Sequence, residues 1–552
     1  MTGRPARLVL GPLLRHVGER DATVWVETDG QCTVEVLGHR EDTWTVAGHH
    51  YALVCVEGLE PGSCTPYDVR LDGAPAYPET DRTLPPPRIR TLGGDGPVRV
   101  VFGSCRYARP DAVADNDKFE ADALDTYAKR MTEQPEERWP DALLLLGDQV
   151  YADETSAQTR ERIRARRDIS RPPYEQVRDF EEYTWLYEES WTDPDVRWLL
   201  ATIPSSMIFD DHDVADDWNT SAQWRRDMAR TSWWADRVIG GLSSYWVYQH
   251  IGNLSPATLA KDGLYQRVRE HGGDCEPMLR EFAAAADKEA DGHKGAQWSY
   301  RRDLGHARLL VIDSRCGRIL DEGDRSMVSE AEFQWIEDQV EGSYDHLLVG
   351  TSLPWLLARA LHDVEAWNEA LASGVRGERM ARIAERFRRR ADLEHWAAFR
   401  KSFDRLAELF ACVGRGEHAG SDGRPPASVC VLSGDVHHAY VAEAHYPDPS
   451  VRSRVYQLTC SPVHNYVPRA MQLAFRLGWS RAAEATMRFL LDRVSRLPRQ
   501  PLTWSRVAGP YYGNEIATLT LDGASARLVV ERARLGADGT AGLTPVLDLP
   551  LT

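Results

Sequence analysis

The run Leu143–Leu146, followed by Gly147 and Asp148, constrains the fold of this chain more than any other stretch. Four consecutive leucines leave no polar face, so the run fits neither an amphipathic helix nor a strand with one solvated side. A short apolar run that ends at a glycine is typical of a strand buried on both faces of a covered sheet. Asp148 then lies at the strand end, where loops that leave a rigid sheet carry catalytic and ligand-binding groups.

Length and charge narrow the class of protein. With 552 residues the chain is long for one domain, and we expect two or more. The 66 basic and 84 acidic side chains give a net charge of −18, which argues against a nucleic-acid partner because that binding needs a basic footprint. An anionic substrate would need local metal ions or arginines. The nine cysteines are scattered without a CxxC pair, as in a protein with reduced thiols.

Residues 1–94 have the alternating pattern of an all-β domain, for example at Ala22–Thr28. Tyr67 stands between a turn and a strand, which resembles a fibronectin/immunoglobulin-type sandwich where a tyrosine pins the preceding corner. The tract 84–87, Leu-Pro-Pro-Pro, indicates a stiff linker. We therefore predict a β-sandwich domain over residues 1–94 and a second, catalytic domain over residues 97–552.

The second region alternates strands with helices, which indicates an α/β domain. Buried strands are predicted at 98–102, 142–146, 206–209, 308–312, 346–349 and 429–432, with later strands at 454–459, 515–520 and 526–531. Helices are predicted at 117–131, 153–200, 329–340 and 364–410, the last of them basic in its middle. A basic helical insertion at about 465–500 fits plain packing, a lid, a partner helix or a membrane-surface helix.

Side chains that ligate metals follow four of these strands. They are Cys105, Asp148 with Tyr151, Asp211 with His212 and Asp213, and Asp435 with His437. Spread over separate strand ends, they could converge on one point above the sheet. Two metal ions there would clamp a phosphoryl group and activate a hydroxide. A neutral His212 near the leaving oxygen would stabilise charge or donate a proton, and Asp213 could orient it.

Two arginines also follow strand ends. Arg106 and Arg315 could bind a substrate phosphate bidentately, and the alternative is a surface or carboxylate-paired arginine. His438 lies beside His437, and we expect it to be a neighbour of the ligands, because successive strand-end residues tend to face opposite ways.

Four motifs together resemble the alkaline phosphatase D family of the metallophosphoesterase superfamily. They are Gly103-Ser104-Cys105, Gly147-Asp148-x-x-Tyr151, Asp210-Asp211-His212-Asp213 and Ser433-Gly434-Asp435-x-His437, with supporting matches at Asp313-Ser314-Arg315 and Tyr512-Gly513-Asn514. The resemblance covers most of the chain, because the N-terminal β-domain is also typical of that family. Gln149 and Asp213 depart from the Tyr and Glu that relatives often have, and both departures leave the ligand positions intact.

The resemblance implies a four-layer αββα sandwich behind the all-β domain. It also implies an iron held by Cys105, Asp148 and Tyr151, with Asp148 shared with calcium. The remaining metal ligands are implied to be Asp211, Asp435 and His437, with His212 as the acid or electrostatic stabiliser. From the residue types alone, Mn²⁺ or Zn²⁺ would fit equally well.

We therefore expect a metal-dependent phosphoesterase that hydrolyses phosphate mono- or diesters through a metal-activated hydroxide. Phosphodiesterase or phospholipase D-type activity is an alternative within this class, with a small-molecule or lipid phosphate ester as substrate. A non-catalytic assembly protein with a structural metal is the alternative outside it. The sequence shows no secretion signal and no convincing transmembrane stretch, so we expect a cytoplasmic location with peripheral membrane contact left open. The oligomeric state also stays open.

Overall fold

The structure is a computed structural model that describes residues 4–79, 84–94, 96–108, 119–291, 295–420, 423–494 and 500–552. Its strands are β1 Leu8–Val17, β2 Asp21–Thr28, β3 Thr33–Val36, β4 His39–Asp42, β5 Trp44–Val46, β6 His49–Glu57, β7 Cys64–Pro66, β8 Val69–Leu71, β9 Ala74–Tyr77, β10 Arg88–Arg90, β11 Val98–Gly103, β12 Ala142–Leu146, β13 Ser205–Ile208, β14 Tyr300–Leu304, β15 Ala307–Val311, β16 His346–Gly350, β17 Ser428–Ser433, β18 Ala439–His445, β19 Arg454–Thr459, β20 Thr503–Tyr511, β21 Glu515–Asp522, β22 Ser525–Leu535 and β23 Ala541–Pro550.

The α-helices of the same described ranges lie mainly between β11 and β20. They are α1 Ala123–Thr132, α2 Ala157–Arg166, α3 Phe180–Trp191, α4 Pro194–Thr202, α5 Ala222–Met228, α6 Trp234–Tyr245, α7 Ile251–Asn253, α8 Pro256–Leu259, α9 Gly263–Glu270, α10 Glu276–Asp287, α11 Glu330–Gln339, α12 Arg359–Ala372, α13 Glu378–Arg390, α14 Arg400–Arg415, α15 Arg469–Gly478 and α16 Arg481–Val494. No helix in this described part of the chain is both long and apolar enough to cross a lipid bilayer.

The N-terminal region is all-β, as its alternating pattern predicts. One sheet has the strand order β1-β2-β6-β5 and another β4-β3-β8-β9, with β10 pairing to β7. Their inward side chains, such as Val24, Val34 and Val54, share one apolar core. The Tyr67 hydroxyl donates a hydrogen bond to the Ala201 carbonyl 2.5 Å away. Tyr67 therefore ties this region to α4 of the following region rather than pinning its own corner.

Two mixed sheets form the frame of the second region. One has the order β13-β12-β11-β21-β22-β23 and the other β14-β15-β16-β17-β19-β18-β20. β11, β12 and β13 run parallel, as do β15, β16, β17 and β19. Leu143–Leu146 is buried throughout, which confirms the predicted doubly covered strand. The carboxyl ends of parallel strands meet at one edge of a sheet, and this edge carries the polar motifs.

The two sheets pack against each other through their apolar faces. Leu144 and Val100 of one sheet share a core with Leu348 and Leu432 of the other. The outer face of the second sheet is covered by α11 and α14, whose side chains pack on β15, β16 and β17. Parallel sheets need such cover on both faces, which explains why their strands read as continuous apolar runs.

Four predicted helical segments differ from the structure. The segment 153–200 contains α2, α3 and α4, with residues 167–179 outside these helices. The segment 364–410 is interrupted between α13 and α14, because residues 391–399 form a loop and a short 3₁₀ turn that enter the core. The segment 117–131 is helical only from Ala123, and residues 117 and 118 lie outside the described residues. Residues 467–497 form α15 and α16, and 495–497 lie outside the described residues.

Gly434 permits a close approach between the two sheets at the strand ends. A Cβ atom at this position would lie 1.9 Å from Ser104 Oγ and 2.2 Å from Ser104 Cβ. Both distances are far below van der Waals contact. Ser104 Oγ in turn accepts the Asp435 N–H at 3.1 Å, so the approach joins the loop after β17 to the loop after β11.

Replacing Gly434 with alanine should destabilise the fold. We expect Gly434→Ala to cost about 1–3 kcal/mol, because Ser104 is attached to a buried loop and cannot move aside cheaply. Urea unfolding at equilibrium measures the change. Gly30→Ala is the matched control, since a Cβ there meets no atom within 4 Å. Equal stability of the two variants would contradict the close approach.

A second prediction concerns His49, whose ring lies 2.9 Å from Glu27 and 2.9 Å from Glu181 of α3. Burial lowers the pKa of His49, but hydrogen bonds with Glu181 and Glu27 outweigh it and raise the pKa to about 9 from 6.5. Protonated His49 therefore stabilises the fold fully below about pH 6.5, and this contribution is lost as the pH rises through about 9.

Between those two pH values we expect wild type to lose about 1–2 kcal/mol relative to His49→Gln, allowing for the partial exposure of the ring. Urea unfolding at both ends of the range tests this, with His271→Gln as an exposed control. The same pH slope in wild type and His49→Gln would contradict the prediction.

Candidate metal centre

The backbone at the strand ends is held in an uncommon conformation. Cys105 after β11, Asp148 after β12, and Asp435 and His437 after β17 have φ angles of 59°, 49°, 65° and 49°. Residues with a Cβ rarely occupy this left-handed region, and each costs about 1–3 kcal/mol. Such strain persists only where the surrounding structure enforces it, and it gathers at functional sites.

One group of ligand atoms joins the two sheets. The side chains of Cys105, Asp148 and His437 each offer a ligand atom within 4.8 Å of the others. Burial, with the charges of Asp148 and Asp435, raises the pKa of the Cys105 thiol well above its usual value. Burial lowers the pKa of His437 to about 4, so its ring is neutral, the form that binds metals.

Tyr151 lies at the edge of this group. Its hydroxyl accepts a hydrogen bond from Asn465 Nδ2 at 2.8 Å, and its ring lies 4.9 Å from that of His212. Burial, reinforced by the charges of Asp148 and Cys105, raises the pKa of Tyr151 well above 10. A nearby cation would reverse this shift and favour the phenolate.

A second group of ligand atoms shares Asp148. Asp148, Asp210 and Asp211 each place a carboxylate oxygen within 4.8 Å of the others. Asp148 Oδ1 and Asp210 Oδ2 are buried without a hydrogen-bond partner. Burial, opposed by His212 but reinforced by Asp210 and Asp211, raises the pKa of Asp148 well above its usual value. Unpaired buried carboxylate oxygens are what a metal ion would satisfy, so these residues fit a metal centre.

Asp435 reaches the centre from the second sheet. His395 Nε2 lies 3.3 Å from Asp435 Oδ2, and its Nδ1 lies 2.8 Å from Glu365. Burial raises the pKa of Asp435, but His395 and Arg315 outweigh it and hold the pKa below its usual range. Sequence reasoning missed His395, because it lies inside the segment 364–410, which is predicted as continuous helix, and no motif marks it.

Arg315 lies beneath the carboxylates. It is fully buried, with Nη2 3.2 Å from both Asp211 and Asp435, and it also pairs with Asp210 and Glu394. Of the two alternatives left by the sequence, a substrate arginine or a carboxylate-paired one, the contacts are those of the carboxylate-paired residue. Glu394, in the same loop as His395, is another residue that the sequence did not reveal.

Arg106 is also engaged by protein groups. Its Nε donates to Asp122 at 2.8 Å, and its Nη1 donates to the Ser190 carbonyl at 2.5 Å. Those contacts hold α1 against α3 and leave the side chain almost fully buried. Its predicted contact with substrate stays a prediction.

His212 is oriented by Asp153. The Nδ1 atom of His212 lies 2.9 Å and 3.0 Å from the two oxygens of Asp153. Burial lowers the pKa of His212, but Asp153 outweighs it and raises the pKa well above 6.5. Asp153 therefore makes the contact with His212 that the sequence analysis predicted for Asp213. The only signal for Asp153 is its position two residues after Tyr151.

Asp213 instead shapes the loops. Its carboxylate accepts the N–H groups of Asp148 at 3.1 Å and Asp210 at 2.8 Å. A catalytic role for Asp213 stays a prediction. His438 donates from Nδ1 to the Val436 carbonyl 2.6 Å away and stacks on Phe475, so its ring faces α15 rather than the two ligand groups.

Comparison with known proteins shows which family the chain is similar to. Residues 113–489 match the model of the PhoD-like phosphatase family, and residues 5–89 match a domain of unknown function, DUF7800. The solved structure of PhoD superposes with a TM-score of 0.55 at 12% identity, covering 99% of this chain and 93% of that one. Purple acid phosphatase PPD1 from yellow lupin (Lupinus luteus) seeds gives a TM-score of 0.45 at 12% identity, covering 96% and 73%. No protein of curated function matches.

The fold is of the metallophosphoesterase type, and the family match makes the chain a phosphoric ester hydrolase. The chain belongs to the PhoD-like phosphatase family. Family membership therefore favours the predicted metal-dependent phosphoesterase over the non-catalytic alternative.

Removing the partner of His212 tests this geometry. We expect Asp153→Asn to lower kcat for phosphate ester hydrolysis about 10- to 100-fold with a smaller change in KM, because His212 loses its charge partner and fixed orientation. Glu154→Gln is the matched control, an exposed carboxylate one residue away. If both variants keep wild-type kcat, Asp153 does not position a reacting group.

Proposed function

We propose that this protein hydrolyses phosphate esters at a centre of two metal ions held by Cys105, Asp148, Tyr151, Asp211, Asp435 and His437. The observation that carries the proposal is that Asp148 belongs to both groups of ligand atoms and has an unpaired buried oxygen. A carboxylate with this placement can bridge two ions. Asp210 is a further ligand for the second ion, with an unpaired oxygen of its own.

Two metal ions so bound would neutralise phosphoryl charge and lower the pKa of water. We propose Fe³⁺ and Ca²⁺ as the two ions. The Cys105 thiolate and the Tyr151 phenolate are anionic ligands that suit Fe³⁺, and carboxylate oxygens are the ligands that suit Ca²⁺. Mn²⁺ and Zn²⁺ are the alternatives, because carboxylate and imidazole ligands accept both.

The chain's own residues complete the site. We propose that protonated His212 donates from Nε2 to the leaving oxygen, while Asp153 holds Nδ1 and fixes the ring. We assign Arg315 a positioning role, because its guanidinium already spans the ligand carboxylates Asp211 and Asp435. In this arrangement His212 would reach the ester oxygen, while Arg315 would hold the ligand carboxylates in place.

The substrate is proposed to be a small-molecule phosphate mono- or diester. A cavity of about 770 Å³ is lined by Asn465, Tyr466, Arg476 and Tyr512, and Asn465 also bonds the Tyr151 hydroxyl. This cavity offers room for a leaving group beside the centre, with aromatic rings and a cation on its wall. A lipid phosphate ester is the alternative substrate.

The sheet packing and outer helices support a four-layer αββα order for the catalytic part. We also propose two domains, a β-sandwich at 1–94 and a catalytic domain at 97–552. The two family matches support this division because they cover separate parts of the chain. A cytoplasmic location also belongs to the proposal, supported by the cysteines, which form no disulfide among the described residues.

Metal analysis and turnover on one sample test the proposal. We expect about two metal ions per chain and hydrolysis of p-nitrophenyl phosphate or bis-p-nitrophenyl phosphate. Asp148→Ala should lose both metals and lower kcat at least about 1000-fold, because both ions lose a shared ligand.

Asp125→Ala is the matched control. It removes a carboxylate from another acidic group, formed with Asp193 and Asp195 outside the proposed site, and should keep metal and turnover. Full metal content and turnover in Asp148→Ala would overturn the proposed centre. The preferred ester decides between monoester and diester chemistry.

A further inference from the structure

The outer face of α13 combines exposed apolar and basic side chains. Ile383 is 57% exposed and Phe387 is 42% exposed, one helical turn apart on the same side. The opposite side is buried through Ala384, which packs with Leu371 of α12. Bulky apolar side chains are therefore presented outward although the helix already has a buried face.

The arginines around these two side chains have no acidic partners. Arg379, Arg382, Arg386 and Arg390 are exposed, and none forms an ion pair with any residue in the described ranges. Other arginines of the same helix behave differently, since Arg388 pairs with Glu322 and Arg389 with Asp227. In a chain of net charge −18, α13 thus presents a local cationic face that the protein does not neutralise.

We propose that this α13 face, formed by Arg379, Arg382, Ile383, Arg386, Phe387 and Arg390, binds the surface of an anionic lipid bilayer. A helix that lies in the membrane interface inserts its bulky apolar side chains among the acyl chains while its arginines meet anionic headgroups. An ordinary solvated helix face would carry charges of both signs and no exposed phenylalanine. A polynucleotide would use the arginines but leave Ile383 without a role.

Neighbouring helices add apolar side chains of the same kind. α12 packs against α13 on one side and against α16 on the other. Phe489 of α16 is 58% exposed, and the Arg493 guanidinium lies 4.2 Å from its ring centroid. Leu473 of α15 is 60% exposed. α15 and α16 thus carry exposed apolar side chains and pack on α12, the helix that also packs on α13.

The proposal goes beyond the proposed function and does not depend on it. The loop that follows the last residue of α13, Arg390, contains Glu394 and His395. Glu394 contacts Arg315, and His395 contacts Asp435. A bilayer bound at α13 would therefore lie near the candidate metal centre. Vesicle binding needs no catalysis, so a catalytically inactive variant can replace the wild-type protein in the binding experiment.

Flotation with lipid vesicles tests the α13 face. Wild-type protein should float with vesicles of phosphatidylcholine and phosphatidylglycerol and not with phosphatidylcholine alone. The triple variant Arg382→Gln, Arg386→Gln, Arg390→Gln should lower the partition coefficient on the order of a hundredfold, since each arginine contributes near an anionic surface. The double variant Ile383→Ser, Phe387→Ser should lower it at least about tenfold.

The matched control removes the same charge elsewhere. Arg171, Arg230 and Arg527 are exposed, and changing all three to Gln should leave flotation within about twofold of wild type. Thermal unfolding midpoints show whether each variant is folded, and the substituted side chains all point to solvent. Raising the salt concentration to about 1 M should weaken binding, because it shortens the Debye length to about 3 Å.

Three results would overturn the proposal. The first is wild-type protein that does not float with anionic vesicles. The second is an equal loss of flotation in the α13 and control triple variants. The third is binding to a polynucleotide or heparin that needs the arginines, together with full vesicle binding by Ile383→Ser, Phe387→Ser, which would assign the face to a soluble polyanion.

Discussion

The charge of the buried Arg315 guanidinium is what allows so many carboxylates to gather at the strand ends. Carboxylates without solvent repel each other and lose their hydration, so each addition raises the pKa of its neighbours. Asp435, close to Arg315 and His395, stays ionised, while Asp148, which forms no ion pair with an arginine of the described ranges, is shifted toward protonation. Arg315 pairs with four acidic side chains: Asp210, Asp211, Glu394 and Asp435.

Arg315 brings one positive charge to four carboxylates, so negative charge remains, and Asp148 Oδ1 and Asp210 Oδ2 have no hydrogen-bond partner. Asp148 belongs to both groups of ligand atoms and Asp210 belongs to the second. Arg315 and the proposed metal ions would then each neutralise part of the negative charge. The four ion pairs also explain why Arg315 is buried although it follows a strand end.

A rigid frame is needed to hold these groups together. The two sheets pack face to face, and the parallel strands end at a common edge, which brings Cys105 and His437 from different sheets within reach of one ion. The frame also enforces the left-handed conformations of Asp148 and Asp435, which would relax in a mobile loop. The exposed face of α13 lies outside this frame, where side chains are free to serve another contact.

Much of the site was visible in the sequence. Each predicted ligand follows a strand that the structure contains, because apolar runs with polar ends reflect local burial and strand geometry. The residues that support the ligands were not visible. Asp153, Glu394 and His395 come from loops, and the segment around His395 looked helical because its periodicity comes from the flanking helices.

The sequence by itself determined the α/β alternation, the buried strand at Leu143–Leu146 and the set of strand-end residues proposed as ligands, since these depend on hydrophobicity and on residue chemistry along short stretches. Only the tertiary structure decided that Asp153 orients His212, that Arg315 neutralises carboxylates and that Tyr67 bonds to Ala201. Such pairs form between residues far apart in the chain or on separate loops, and their distances depend on how the sheets pack, which no local pattern encodes.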